Sequence, residues 1–264
     1  NSIFNYKVAV WSVLAFIPLG ADVWTHHIFV AGLPNWVRVI MTFTTLLISL
    51  PFGLLMISMM MTLYKGSIEY KTPMVWVTGM FFMLLIGGLT GIPNALSAID
   101  YGISDSYAIM SHFHYVMAIS GAMATFGGIY YYFPKLTGRM YNEAMGKISA
   151  WLFFIGMNIV MGPLYIIGIQ GMPRRYYDYQ MFPQFEGTQA VSTIGMWIAA
   201  ISILLMLFSW VHGMLKGEKA VANPWGSQSL EFTHTEVIPG PGNFPTPPVM
   251  PQGWSPYNYE KVKT

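Results

Sequence analysis

The sequence predicts an all-α membrane protein with six membrane-spanning helices. The first observation is composition: of 264 residues, 54% are hydrophobic and only 9% are charged, whereas a typical soluble domain carries about 25% charged residues. The second is that six segments meet the requirement of about 20 consecutive, mostly apolar residues for one helical crossing of a bilayer. The third is that short polar or turn-rich stretches separate these segments.

The six predicted spans follow one another through the first 220 residues. They lie at 8–32, 37–63, 73–98, 106–133, 148–170 and 190–215. The connectors contain turn residues, as in AGLPNW after the first span and GMPRRYYDYQMFPQFEG before the last. Residues 1–220 therefore form one predicted bundle. Residues 221–264 are rich in Pro, Gly and aromatic residues, which predicts an extended tail rather than another domain.

The distribution of basic residues predicts the orientation of the bundle. Ten lysines and arginines fall on one side of the predicted membrane, while the other side receives only Arg38, Arg174 and Arg175. Because cytoplasmic loops carry the excess of Lys and Arg, both termini are predicted to be cytoplasmic. Arg174 and Arg175 break this trend, so we expect an anionic group to hold them on the outer side.

Composition also excludes several classes of function. A formal net charge of +2 and the lack of a basic tract argue against binding to nucleic acid. The sequence has no cysteine, which excludes disulfides, thiolate metal sites and iron–sulfur clusters held by this chain. Any metal must be held by His, Asp, Glu, Met or Tyr. The expected partners are lipid, cofactors and other membrane subunits.

Two of the six histidines lie one residue apart in the fourth predicted span, in the stretch SHFHYV. Residues i and i+2 of an α-helix are about 200° apart, so His112 and His114 are predicted to project from opposite sides. On such a helix they cannot share one metal ion. The arrangement suits a helix placed between two cofactors, each with one axial ligand. Hydrogen bonds to neighbouring helices are the equally weighted alternative.

A second pair of histidines lies in the first predicted span, in GADVWTHHIFV. His26 and His27 are about 100° apart on a helix, so both can lean toward one metal ion if another helix supplies a third ligand. Polar groups at this depth are costly and usually functional, which favours metal binding. His212 near the end of the last span and His234 in the tail are predicted to be ordinary interfacial residues.

Four motifs together carry a resemblance to a known family. WTHHIFVAGLP, GGLTGIPNA, DSYAIMSHFHYV and GMPRRYYDY occur in this order, and at these spacings they resemble the carboxy-terminal half of subunit I of the haem–copper oxidase superfamily. The resemblance covers about residues 4–220 and follows the branch of mitochondrial and common bacterial cytochrome oxidases. It implies helices seven to twelve of the family's twelve-helix bundle, in a prokaryotic plasma membrane.

The resemblance implies a role for each of the four paired histidines. His112 would be the proximal ligand of the high-spin haem, where the gas binds. His114 would be an axial ligand of the low-spin haem, which delivers electrons. His26 and His27 would be two of three imidazole ligands of a copper ion facing the high-spin haem, a ligand type that suits copper.

Charged residues on the outer side also gain roles from the resemblance. Arg174 and Arg175 match the arginine pair that neutralises haem propionates, and Asp100 would lie near those propionates. Asp105 would contribute to a non-redox metal site for Mg or Ca, where Ser104 replaces the usual histidine. Solvated loop charges are the alternative for both aspartates.

The implied function is the catalytic-subunit part of a respiratory terminal oxidase. Dioxygen would be reduced to water with electrons from cytochrome c or quinol, coupled to proton translocation. In the family, the third copper ligand, the tyrosine joined to it and the second ligand of the low-spin haem all lie upstream. The expected partners therefore include the amino-terminal half of subunit I, subunit II and other membrane subunits.

Two departures from the family pattern favour a different reaction. The second span has Leu55 in place of a proton-carrying lysine, and Phe52 in place of an expected hydroxyl. Asp22 lies four residues before His26, on the same predicted helix face, where a buried carboxylate must be protonated, paired or bound to metal.

Both departures resemble features of nitric oxide reductases. These are relatives that place an acidic residue near a non-haem iron. Reduction of nitric oxide to nitrous oxide is therefore the alternative function, with Asp22 as an acidic ligand or proton donor. A neutral, hydrogen-bonded Asp22 is the structural alternative. The distant alternative is a non-catalytic membrane scaffold or a transporter half, which would show no haem absorbance.

Overall fold

Helices make up the regular structure of the described chain. The computed structural model describes residues 3–227, 229–233 and 235–240. Over these residues, the only strand-like features are two isolated β-bridges that each join a pair of loops. The all-α prediction is confirmed. His234 and residues 241–264 of the predicted tail lie outside the described residues.

The described part of the chain forms α-helices α1 to α10. In chain order they are Tyr6–Val23, Asn35–Leu47, Ser49–Leu63, Thr72–Ala95, Ser97–Ile103, Tyr107–Phe113, Ser120–Thr137, Glu143–Ile169, Glu186–Lys216 and Leu230–Thr233. A 3₁₀ segment, Trp24–Ile28, extends α1, and another, Pro183–Phe185, precedes α9. A π segment, His114–Ile119, joins α6 to α7.

Five stretches of the described chain are long and apolar enough to cross a membrane. They are Tyr6–Ile28, Asn35–Leu63, Thr72–Ala95, Glu143–Ile169 and Pro183–Lys216. They correspond to five of the six predicted spans. The remaining predicted span, 106–133, is helical from Tyr107 to Thr137, but the π segment divides it into two α-helices. The chain is an integral membrane protein, and its fourth predicted span contains a π segment.

A proline interrupts the second span near its middle. α2 ends at Leu47 and α3 begins at Ser49. Pro51 has no N–H and cannot donate the regular helical hydrogen bond to the carbonyl of Leu47. The chain therefore starts a new helix around Ile48, where the sequence alone predicted one unbroken span.

Helix ends follow from local sequence. The Ser106 side chain accepts a hydrogen bond of 3.1 Å from the backbone N–H of Ala108 at the start of α6. Asn142 likewise accepts from the N–H of Met145, at 3.0 Å, at the start of α8. Such caps satisfy N–H groups that have no partner within the helix. α7 ends at Thr137 and is followed by Gly138, whose φ of 69° is a left-handed conformation that favours glycine.

The hydrophobic core lies among α4, the π segment, α7, α8 and α9. Its largest fully buried side chains include Trp76, Met83, Met123 and Tyr130. Within the described residues, α1–α3 contribute none of the side chains of the buried core clusters. Gly156 lets α8 and α9 approach closely, because a Cβ there would lie 2.8 Å from the backbone nitrogen of Ala199. Small residues at helix contacts are typical of membrane bundles.

The described part of the tail predicted at 221–264 lies against the bundle. It contains α10 and packs against α7. The indole N–H of Trp225 donates to the carbonyl of Tyr131 at 2.9 Å, and the two rings stack with centroids 5.8 Å apart. The buried ammonium group of Lys135 donates to the Thr235 hydroxyl at 2.9 Å. Contacts with a distant helix therefore order a segment whose composition predicted an extended conformation.

Candidate functional site

His112 lies near the end of α6, and residues of α4 hold its side chain in place. Its Nδ1 lies 3.0 Å from the carbonyl oxygen of Gly87 and 3.2 Å from the Thr90 hydroxyl. A carbonyl oxygen has no proton to donate, so Nδ1 must carry the proton in this hydrogen bond. Nε2 then keeps a lone pair. This is the arrangement of a metal-ligating histidine, whose second ring nitrogen donates to a backbone carbonyl.

The glycines of GGLTGIPNA make room for this arrangement. A Cβ at Gly91 would lie 2.8 Å from Cε1 of His112, and a Cβ at Gly87 would lie 2.8 Å from the backbone nitrogen of Val116. Both glycines are therefore required for α4 to approach the His112 ring and the π segment. The motif alone did not reveal Thr90, Gly87 or Gly91 as supports of His112, because their contacts with the ring depend on how α4 packs against α6.

His114 finds its partner within its own helix. Its Nδ1 lies 2.7 Å from the carbonyl oxygen of Met110, so this histidine also keeps its Nε2 lone pair. His114 is the first residue of the π segment, and such segments are frequent at functional sites. The predicted angle of about 200° between His112 and His114 holds only for a regular α-helix. The two histidines nevertheless have separate partners, one on α4 and one on α6.

His26 and His27 lie side by side on the 3₁₀ segment that follows α1. Their ring centroids are 4.2 Å apart, with the ring planes at 55°. His27 is exposed, whereas His26 is half-buried and its buried Nδ1 has no hydrogen-bond partner among the described residues. His26 lies close enough to His112 for the two imidazoles to interact electrostatically. The structure therefore brings His26 and His27 into the neighbourhood of His112.

Two imidazole nitrogens are fewer than the three implied for the copper ion. In the described part of the chain, no group of three or more His, Asp or Glu side chains is placed to hold a metal ion. His26 and His27 fit part of a copper site, because adjacent imidazoles and a buried, unpartnered ring nitrogen suit metal binding and the hydrogen bonding around it.

Asp22 is placed less favourably than the sequence indicated. Its side chain is exposed. α1 ends at Val23 and the 3₁₀ segment begins at Trp24, so each further residue turns by about 120° instead of about 100°. The four-residue spacing to His26 therefore does not imply the shared face that the prediction assumed. The backbone carbonyl of Asp22 accepts a hydrogen bond of 2.7 Å from Thr25.

Arg174 is paired with Asp105. Its Nε and an Nη donate to the same carboxylate oxygen at 3.0 and 2.6 Å, and its backbone N–H donates to the Asp105 carbonyl at 2.9 Å. The hydrogen bond from this guanidinium lowers the pKa of the Asp105 carboxyl. Arg175 is exposed and adopts a φ of 66°. The structure thus separates the arginine pair into one residue engaged by this chain and one that faces outward.

Asp100 is the most buried carboxylate near this loop. Only 4% of the residue is exposed, and within the part of the chain that the structure describes its buried Oδ2 has no hydrogen-bond partner. Burial raises the pKa of Asp100 to about 6, against the lowering effect of a hydrogen bond with Ser104. A buried oxygen without a partner requires a proton, a cation or a donor to offset its lost hydration.

The Phe52 ring of α3 packs against Gly88 of α4. A Cβ at Gly88 would lie 2.6 Å from Cε1 of the Phe52 ring, so the ring occupies the space that this glycine leaves. Leu55, one turn later, is half-buried. Apolar side chains therefore stand at both positions that the family pattern gives to proton-carrying groups.

Comparison with known proteins shows that the chain is similar to subunit 1 of cytochrome c and quinol oxidases. Residues 1–204 match the family model described as cytochrome c and quinol oxidase polypeptide I. The chain is 38% identical over 257 residues to cytochrome c oxidase subunit 1 of Synechocystis sp., a match that covers 97% of this chain and 46% of that protein. It is 34% identical over 246 residues to quinol oxidase subunit 1 of Bacillus subtilis, covering 92% and 38%.

A solved structure supports the fold. A haem–copper terminal oxidase dimer determined by cryo-EM has a chain that superposes with a TM-score of 0.73 at 19% sequence identity, covering 82% of this chain and 43% of that chain. At this identity the likeness concerns the fold alone. This chain spans less than half the length of the curated relatives that it matches.

Proposed function

This chain belongs to the cytochrome c and quinol oxidase polypeptide I family, and from that premise we propose that it forms the carboxy-terminal half of the catalytic subunit of a respiratory terminal oxidase. The oxidase would reduce dioxygen to water with electrons from cytochrome c or quinol, coupled to proton translocation. It would lie in a prokaryotic plasma membrane with both termini in the cytoplasm. Its partners would be the amino-terminal half of subunit I, subunit II and further membrane subunits.

The observation that carries this proposal is the support around His112. Gly87 accepts the Nδ1 proton, and Gly91 leaves space for the ring. A histidine that only joined two helices would need no free Nε2, whereas an axial ligand does. We assign His112 to the high-spin haem and His114 to the low-spin haem, with His26 and His27 on the copper ion.

The cofactors supply gas binding and one-electron transfer, and the chain supplies orientation. The carbonyls of Gly87 and Met110 fix the tautomers of His112 and His114, so both Nε2 atoms keep their lone pairs. Phe113 lies between the two ligands, and its ring centroid is 4.4 Å from that of His114.

The outer charged residues have distinct proposed roles. Arg175 is exposed and available to a haem propionate, while Arg174 contributes through its pairing with Asp105. The unpartnered oxygen of Asp100 suits contact with a protonated propionate or a bound cation. Asp105 remains a candidate ligand of a Mg or Ca ion, which would share its carboxylate with Arg174.

Reduction of nitric oxide is the second candidate function. The packing of Phe52 over Gly88 and the half-buried Leu55 favour it, because this apolar contact cannot relay protons. The exposed side chain of Asp22 would act in this reaction only if the other half of the subunit covers it.

Spectra and gas consumption of the purified intact complex test the proposal. We expect absorbance from two haems and rapid uptake of dioxygen, with little turnover of nitric oxide at matched concentration. His112→Ala should remove the high-spin signal and His114→Ala the low-spin signal. His212→Ala is the matched control and should leave both signals unchanged. A colourless complex would contradict the haem assignment, and faster turnover of nitric oxide would favour the second function.

A further inference from the structure

A cavity of about 460 Å³ lies between α4 and α7, away from the histidines. Its remaining walls come from the connection between α3 and α4 and from Trp225 of the tail. The volume is within the range of about 300–1,000 Å³ found for small-molecule sites. The cavity lies where the second span ends and the third begins, at the edge of the apolar part of the bundle.

The floor of the cavity is an apolar furrow. Gly127, Gly128 and Ala124 of α7 form one side, and Met74 and Val77 of α4 form the other. A Cβ at Gly128 would meet nothing within 4 Å, so the absence of a side chain there leaves the furrow open. Such a surface suits a flexible hydrocarbon chain, which needs space and no hydrogen bonds.

The mouth of the cavity carries one positive and one negative charge. Lys71 Nζ lies 2.9 Å from the Glu69 carboxylate, with 45% and 70% of the two side chains exposed. An ion pair as exposed as this holds its partners weakly, so both groups remain available to a ligand. The Lys71 ammonium also lies 5.8 Å from the centre of the Trp225 ring.

Aromatic residues indicate where the mouth of the cavity lies relative to the membrane surface. Trp225 and Tyr131 line it, with rings nearly parallel at 14°. Trp and Tyr are enriched where a membrane protein meets the lipid headgroups, because their rings are apolar and their N–H or O–H groups are polar. The charged mouth therefore lies at headgroup level and the apolar furrow at acyl-chain level.

We propose that this cavity binds one phospholipid with a zwitterionic headgroup ending in a primary ammonium, of the phosphatidylethanolamine class, taken from the surrounding bilayer. The phosphate pairs with Lys71, the ammonium group pairs with Glu69, and one acyl chain lies along the furrow beside Gly128. An anionic headgroup would satisfy Lys71 but would be repelled by Glu69. A headgroup with a methylated ammonium would lack N–H donors for the Glu69 carboxylate.

Native mass spectrometry of the intact purified complex, with phosphatidylethanolamine, phosphatidylglycerol or phosphatidylcholine added, tests the proposal. The wild type should retain one phosphatidylethanolamine more tightly than either other lipid. Gly128→Phe fills the furrow and should lose it. Glu69→Gln should reduce the preference for phosphatidylethanolamine over phosphatidylglycerol about fivefold, the effect of one interfacial charge.

Gly121→Phe is the matched control, because Gly121 lies two turns earlier on the same face of α7 and a Cβ there also meets nothing within 4 Å. It should leave lipid retention unchanged. Equal retention by Gly128→Phe and the wild type would overturn the proposal, as would equal binding of the three lipids. A cryo-EM map showing a partner's helix in the cavity would also overturn it. Because Glu69 is exposed, its variant tests headgroup choice even if Gly128→Phe fails to fold.

Discussion

The two histidine pairs differ in how completely this chain supports them. On α6 and the π segment, His112 and His114 each have a carbonyl partner for Nδ1. On the 3₁₀ segment, His27 is exposed and the Nδ1 of His26 is buried without a partner. One pair is therefore oriented by contacts that this chain contains. Among the described residues, the other pair has no hydrogen bond that would fix its tautomers.

The surrounding helices show the same difference. In the apolar windows of the first and second spans only 11% and 17% of the residues are buried, against 39% in α8. The core clusters of the described chain lie entirely in the region from α4 onward. A ligand site needs rigid support to hold its geometry. The comparison indicates that α4–α9 form a self-supported unit, whereas α1–α3 require a further packing partner to become buried.

The largest effect should come from the packing of α8 against α6. A Cβ at Gly168 would collide with the backbone nitrogen of Ala108, so Gly168→Val should lower the stability of the complex by about 3 kcal/mol or more. Gly20→Val is the control on α1, where a Cβ meets nothing within 4 Å. Thermal unfolding of the two variants measures the difference. Equal destabilisation would remove the distinction between the two regions.

A change at Gly91 should break the support of His112 directly. Because a Cβ there would lie 2.8 Å from the ring, Gly91→Val should displace His112 and remove most of the high-spin haem. The haem content per protein, measured from absorbance, checks this. Gly102→Val, at a glycine on α5 whose Cβ would meet nothing within 4 Å, should keep its haem. Full haem content in Gly91→Val would contradict the assignment of His112.

Removing one hydroxyl should have a smaller effect. Thr90→Val keeps the side-chain shape but loses the oxygen that lies 3.2 Å from the Nδ1 of His112. Loss of a partner around a metal ligand typically costs about 10- to 100-fold in affinity or activity, and we expect the lower end because Gly87 still accepts the proton. Turnover at saturating gas measures the change. Activity equal to wild type would show that Gly87 alone orients the ring.

The smallest effects should come from two aspartates with opposite pKa shifts. Burial raises the pKa of Asp100 to about 6, so its folded state binds a proton more tightly than its unfolded state. Its contribution to stability should therefore fall as the pH rises from about 4 to about 6, by about 1–2 kcal/mol. Asp100→Asn should remove this fall. Unfolding temperatures measured across this pH range check it, and an unchanged slope would contradict the shift.

Asp105 provides the contrast. Its pKa is lowered by the hydrogen bond from Arg174, so the stability from this pair is present above the ordinary carboxyl pKa and is lost as the pH falls through the folded value. Asp105→Asn should change stability by less than about 1 kcal/mol, because the carboxylate is exposed. The two variants should therefore alter the pH profile in opposite directions.

Much of the site could be predicted because its ligand candidates lie in short motifs. The spacing of His112 and His114 indicated separate partners, and the structure places their Nδ1 atoms on different carbonyls. The assignment of each histidine to a haem or to copper stays a prediction. The predicted shared face of Asp22 and His26 requires a regular helix through both residues, whereas α1 ends at Val23. The 3₁₀ segment changes the angle between them.

The sequence by itself determined that this protein is helical and lies in a membrane, because long apolar runs must bury their backbone hydrogen bonds within themselves. It also determined which side chains are able to bind metal. Only the tertiary structure decided that Gly87 holds the Nδ1 of His112, that Arg174 pairs with Asp105, and that Trp225 packs on α7. Each of these contacts joins residues far apart in the chain, and their distances depend on how whole helices pack.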